Sequence, residues 1–137
     1  MFTLFVLLRD DNHAVNNDLL ACGLKQHFPW YSDFALSTET LIFPPVSLLV
    51  LERKGWWVRF EIREVDEMSL DVAVLQKILQ KKTALPADFL AYNKEIAVGF
   101  DDDPQRRFTD DVIGVAECLR DIFPDAVLFD QYNGEVW

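Results

Sequence analysis

The stretch Gly55–Arg63 constrains the fold more strongly than any other part of this chain. From its second residue onward every other side chain is apolar, namely Trp56, Val58, Phe60 and Ile62. Charged residues alternate with these apolar ones from Arg59 to Arg63. Because successive side chains of a strand point to opposite faces, the alternation predicts an antiparallel strand with one buried and one solvated face.

Further elements follow from periodicity and turn signals along the chain. Strands are predicted at Phe2–Leu8, 33–43, Ser47–Glu52, Glu95–Phe100 and Ala126–Phe129. Three amphipathic helices are predicted from Asn17, Ser69 and Thr109. Hairpins are predicted at Gly55 and at Asn133-Gly134, because glycine readily adopts the positive φ of a tight hairpin turn.

Two segments of the chain repeat one plan. Each has a strand, a run of aspartates, a loop and a helix, and the two helices end before Pro29 and at Pro124. The repeat predicts two βαβ-like units in a ferredoxin-like split arrangement, with the helices on one face of the sheet. The segment between the units adds a central hairpin. We therefore expect one α+β domain over residues 1–137, with a mainly antiparallel sheet and helices packed on one face.

The repeat also predicts a site. In such an arrangement the first strands of the two units lie side by side and parallel, so the loops that follow them emerge at the same end of the sheet. One acidic rim is then predicted from Asp10, Asp11, Asp101, Asp102 and Asp103. The alternative is that these residues form turns and favourable charges at helix entries.

Charge decides which partners are expected. The 13 basic and 23 acidic residues give a net charge of −10, and residues 101–137 alone carry 3 basic against 10 acidic side chains. Such a field repels nucleic acid and anionic lipid and attracts a basic protein. The apolar Phe2–Leu8 is too short for a signal sequence or a membrane span, so a cytoplasmic protein is expected, with Cys22 and Cys118 as buried thiols.

Motifs for chemistry are weak in this sequence. The aspartate loops, with His13 nearby, suit a divalent metal by ligand type, but they lack EF-hand spacing, and the chain has no HxxxH or CxxC pair. We therefore expect neither a metal nor a cofactor. Trp57 shares the charged face of its strand with Arg59, which makes it a candidate binding anchor. Burial under a loop or the middle helix is the alternative for Trp57.

A small, acidic α+β chain with an aspartate-rich edge resembles the immunity proteins of bacterial toxin systems in class, size and charge. The resemblance implies a protein that is not an enzyme and that neutralises a cognate toxin, or binds another basic protein, by occluding its active or basic surface. The partner-binding residues expected are Asp101, Asp102, Asp103, Asp10, Asp11, Trp57 and Arg59. Two alternatives stay open, an adaptor module without a toxin and a small metal-dependent enzyme that uses the same carboxylates.

Overall fold

The computed structural model describes residues 2–9, 15–27, 33–43 and 45–137. Within these ranges seven strands form, which are β1 (Phe2–Leu8), β2 (Phe34–Leu41), β3 (Val46–Arg53), β4 (Trp56–Glu64), β5 (Lys94–Phe100), β6 (Val127–Asp130) and β7 (Glu135–Val136). The α-helices are α1 (Asn17–His27), α2 (Val72–Leu79) and α3 (Thr109–Ile122), and short 3₁₀ turns occupy Val65–Glu67 and Phe89–Ala91. No helix in the described ranges is both long and apolar enough to span a bilayer.

All seven strands join one sheet in the order β2-β3-β4-β5-β1-β6-β7, and every neighbouring pair is antiparallel. The predicted α+β class with a mainly antiparallel sheet is confirmed. The predicted hairpin turns are also present, since Gly55 and Gly134 have φ of 80° and 68°. Most of the predicted strand positions are correct because alternation and turn residues are local signals.

The two βαβ units run in opposite directions. Successive antiparallel pairings make β1 parallel to β2 and β5 parallel to β6, but β1 and β5 are antiparallel neighbours. Phe2 lies opposite Phe100, and Leu8 lies opposite Lys94. The expectation of parallel first strands is therefore wrong, because a repeated local pattern does not specify the direction in which two units pair.

Helices α1 and α3 pack together on one face of the sheet. The even positions of β1 and β4, including Leu4, Val58 and Phe60, are buried beneath them. The helices approach closely at Gly23, where an added Cβ would lie 2.2 Å from Ile122 Cδ1. A larger residue at this position would require the Ile122 side chain to shift.

Helix α2 packs on the opposite face, so the expectation of helices on one face holds only for α1 and α3. Leu75 and Leu79 of α2 join a second core with Leu7 of β1 and Phe129 of β6. The helix begins at Val72 rather than at Ser69, because the side chain of Asp71 accepts the backbone N–H groups of Ala73 and Val74. This face of the sheet is consequently covered near β1 and β6.

A fully buried carboxylate connects the segment before α2 to the sheet. Glu95 has no exposed surface, and its oxygens accept the backbone N–H of Ser69 at 3.0–3.1 Å and that of Leu70 at 3.1 Å. Arg63 Nη1 lies 3.2 Å from Glu95 Oε2, and Arg63 also binds Glu61. Burial alone would lower the pKa of Arg63, but hydrogen bonds and charge from Glu61, then Glu95, raise it.

Candidate functional site

The second face of the sheet is open on the β4 side. Arg59 of β4 lies opposite Gly99 of β5, and a Cβ placed on Gly99 would meet no atom within 4 Å among the described residues. Helix α2 covers the β1 and β6 side of the same face, around Leu7. Arg59 of β4 therefore lies next to open space that a binding partner can enter.

Trp57 and Arg59 form a stacked pair on this face. The guanidinium carbon of Arg59 lies 3.8 Å from the centre of the Trp57 ring, a cation–π arrangement, and Arg59 Nε lies 3.4 Å from Glu39 Oε2. The Trp57 side chain is partly buried. The stack holds a large aromatic surface in one orientation, which lowers the entropy lost when a partner binds to it.

The antiparallel register brings acidic groups beside Trp57. The backbone N–H of Asp101 donates to the Trp57 carbonyl at 2.9 Å, and the Trp56 indole N–H donates to the Asp101 carbonyl at 3.2 Å. Glu52 of β3 lies directly opposite Trp57 and is exposed. Asp102 follows Asp101 in sequence and is exposed, and its backbone N–H donates to Asp101 Oδ1 at 2.8 Å. We name Glu52, Trp57, Arg59 and Asp101, together with Asp102, the Trp57 patch.

Asp103 has a different role from its neighbours. Its two carboxylate oxygens accept the backbone N–H groups of Arg107 and Phe108, both at 2.8 Å, and its carbonyl accepts the N–H of Arg106 at 3.0 Å. Arg106 adopts a positive φ of 53° within this loop. The Asp103 carboxylate is thus used to hold the loop that leads into α3.

Replacing Asp103 by alanine is expected to lower the free energy of unfolding by about 1–2 kcal/mol, because two backbone donors lose their acceptor. Glu117 is an exposed carboxylate on α3, and Glu117→Ala removes the same charge as a control. That control is expected to change stability by less than about 0.5 kcal/mol. Urea denaturation measures both, and equal effects of the two variants would contradict this role.

Asp10 and Asp11 lie outside the described residues. The chain leaves β1 next to Lys94, whereas it leaves β5 next to Phe2, at the other end of the sheet. The loops after β1 and β5 therefore start at opposite ends of this strand pair, not at the same end as the parallel arrangement predicted. Of the predicted binding residues, the structure brings together Trp57, Arg59 and the loop that starts at Asp101.

A charge network at the α1 and α3 face of the sheet, opposite the Trp57 patch, was not predicted from the sequence. Arg53 Nη1 donates to both oxygens of Asp111, at 2.9 and 3.0 Å, and Arg53 Nε donates to Asp33 at 3.2 Å. Asp111 is 7% exposed, although its position in the first turn of α3 predicted only a favourable helix charge. Burial alone would lower the pKa of Arg53, but the hydrogen bonds and charges of Asp33 and Asp111 raise it.

A groove of about 510 Å³ lies between α1 and α3 and is lined by Cys22, His27, Cys118 and Asp121, among others. Cys118 is buried, but Cys22 is exposed, which corrects the expectation of two buried thiols. Burial, with a smaller contribution from the Asp121 charge, raises the pKa of Cys118 to about 12, so its thiol is a poor nucleophile at neutral pH. The described residues contain no group of three or more metal-ligating side chains.

Comparison of the chain with protein families, with curated proteins and with solved structures finds no match in any of the three. The geometry of the described residues is therefore the basis for a functional proposal. One member of the Trp57 patch, Glu52, was not among the predicted binding residues. The hairpin register could have identified it, because a two-residue turn at Lys54-Gly55 places Glu52 opposite Trp57.

Proposed function

We propose that this chain is an immunity protein that binds a basic cognate toxin through the Trp57 patch and occludes its active or basic surface. The observation that carries the proposal is the register that places Glu52 and Asp101 on either side of Trp57. An aromatic anchor flanked by acidic residues, one on β3 and one directly after β5, suits a protein interface, in which the anchor supplies affinity and the acidic charges supply fast association with a basic partner.

The charge of the chain supports a basic protein as the partner. The net charge of −10 attracts a basic surface over a long range, whereas nucleic acid and anionic membranes are repelled. Within the patch, Glu52, Asp101 and Asp102 are acidic, and the basic group of Arg59 is held over Trp57 and near Glu39. The proposed action takes place in the cytoplasm, where cysteines remain reduced.

The test uses the product of the gene adjacent to this one as the toxin candidate. Its binding to the purified chain is measured by surface plasmon resonance, and its toxicity in cells is measured with and without co-expression of this chain. In the double variant Asp101→Lys/Asp102→Lys the association rate constant is expected to fall about tenfold or more at low salt. Trp57→Ala is expected to raise Kd by about 30-fold, mainly through faster dissociation.

A matched control is available at the other end of β4. Asp66 and Glu67 are exposed in the 3₁₀ turn that follows Glu64, and Asp66→Lys/Glu67→Lys makes the same change in net charge. This control is expected to change the association rate constant by less than about threefold. Equal slowing by both double variants would reject the Trp57 patch as the interface. Tight binding without protection from toxicity would instead support the adaptor alternative.

A further inference from the structure

The two edges of the sheet differ in length. β7 forms one edge and contains only Glu135 and Val136, whereas β2 forms the other edge and contains eight residues. In the described part of the chain, β2 pairs with β3 on one side and with no strand on the other. Short edge strands avoid unwanted pairing, but a long one presents a row of backbone donors and acceptors.

β2 also lacks the features that normally block pairing at an edge. Its sequence from Phe34 to Leu41 contains no proline and no lysine, and its eight residues pair with β3 without a bulge. Its one charged residue is Glu39. The Glu39 carboxylate lies 3.4 Å from Arg59 Nε, on the same face of the sheet. The outer edge of β2 is therefore regular. Its one charged side chain, Glu39, is held near Arg59 and does not prevent another strand from pairing with this edge.

The charge around β2 favours a second copy of the chain as the partner strand. Between Asp33 and Arg63 there are four acidic and four basic residues, which is a net charge of zero in a chain of net charge −10. Glu64, at the end of β4, pairs with Lys94 at 2.8 Å. A locally neutral edge allows two acidic molecules to approach without local repulsion.

We propose that the β2 edges of two copies pair antiparallel around a two-fold axis and join the two sheets into one. With the axis at Thr38, Leu36 lies opposite Thr40 of the second copy and Phe34 lies opposite Ile42 of the second copy. Ile42, which is 75% exposed in the single chain, gains an apolar neighbour. Glu39 lies opposite Ser37 of the second copy, so no like charges lie directly opposite each other. The two Glu39 side chains are diagonal neighbours about 7–8 Å apart, and each lies 3.4 Å from Arg59 of its own chain, which offsets its charge.

Sedimentation velocity of the full chain tests the proposal between about 10 μM and 1 mM, where a complex with a micromolar to millimolar Kd becomes populated. The mass is expected to rise from that of one 15.9 kDa chain toward that of two. The double variant Ser37→Lys/Thr38→Lys places lysines on both faces of the edge and is expected to shift the midpoint concentration at least about tenfold upward. Gln105→Lys/Gln131→Lys adds the same charge at exposed residues elsewhere and is expected to leave the midpoint unchanged within about twofold.

A crosslinking experiment keeps the proposal testable if the lysine variant folds poorly. Thr38→Cys in a Cys22→Ser background places one thiol at the axis, where facing Cα atoms lie about 4.5–5.5 Å apart, within the range of a disulfide. Oxidised glutathione is expected to convert this variant to a covalent dimer, and Gln105→Cys in the same background is expected to remain a single chain. A wild-type chain that stays monomeric at about 1 mM, or crosslinking that is equal at the two positions, would overturn the proposal.

Discussion

Replacing Glu95 by alanine is expected to lower the free energy of unfolding by about 3–5 kcal/mol. The carboxylate is fully buried, and its removal leaves the N–H groups of Ser69 and Leu70 without an acceptor. It also leaves the guanidinium group of Arg63 with one carboxylate instead of two. Urea denaturation monitored by circular dichroism gives the free energy of unfolding of each protein, as the product of the midpoint urea concentration and the slope of free energy against urea concentration.

Glu61→Ala is the matched control for this prediction. Glu61 binds the same arginine at 2.9 Å, but its side chain is 28% exposed, so water replaces part of the lost contact. The expected loss is about 1 kcal/mol. If the two variants lose the same stability, the backbone hydrogen bonds to Glu95 do not contribute as the geometry indicates.

The second large effect is expected for Arg53→Met, with a loss of about 3 kcal/mol. The variant leaves the buried carboxylate of Asp111 without its bidentate partner and disconnects α3 from the turn between β3 and β4. Lys54→Met is the control, because Lys54 is 63% exposed and lies 3.8 Å from Asp33. The control is expected to cost less than about 0.5 kcal/mol, and an equal cost would contradict the assignment.

The same variant changes the acid dependence of stability. Desolvation alone would raise the pKa of Asp33, but the hydrogen bond and charge of Arg53, with a further contribution from Lys54, hold it below its ordinary value of 3.8. A depressed pKa in the folded state stabilises the fold above pH 3.8, and this contribution is lost as the pH falls through the lower folded value. Without Arg53 the decline of stability with falling pH in this acid range is expected to be shallower, as measured by thermal unfolding at a series of pH values.

Local patterns in the sequence predicted most of the strands and turns. They did not predict equally well which strands pair and in which direction. The alternation from Trp56 to Ile62 and the turns at Gly55 and Gly134 depend on adjacent residues, and the structure contains all of them. The direction of the β1–β5 pair depends on which of two packings buries more surface. No local pattern records that choice, so the parallel arrangement expected for β1 and β5 was wrong.

Local sequence patterns also do not predict side-chain pairs between segments that are far apart in the sequence. Asp111 lies in the first turn of a helix, where the helix dipole alone favours an acidic residue. Its partner Arg53 is 58 residues away in sequence, so the helix pattern does not indicate the pair. Trp57 and Arg59 were placed on one strand face correctly because alternation decides that alone. The approach of Asp101 to Trp57 required the strand register between β4 and β5.

The position of β1 in the sheet has a consequence for how the chain folds during synthesis. β1 is made first, but both of its neighbours come from the last third of the chain, with Phe2 opposite Phe100 and Leu4 opposite Asp130. At about 5–20 residues per second, the ribosome needs roughly 4–17 s to reach Lys94 after it has made Leu8. During that time the most apolar strand of the protein has no strand to pair with, and contacts of such long sequence separation slow folding further. The sheet is therefore expected to close late and from its centre, when β5 and β6 arrive on either side of β1.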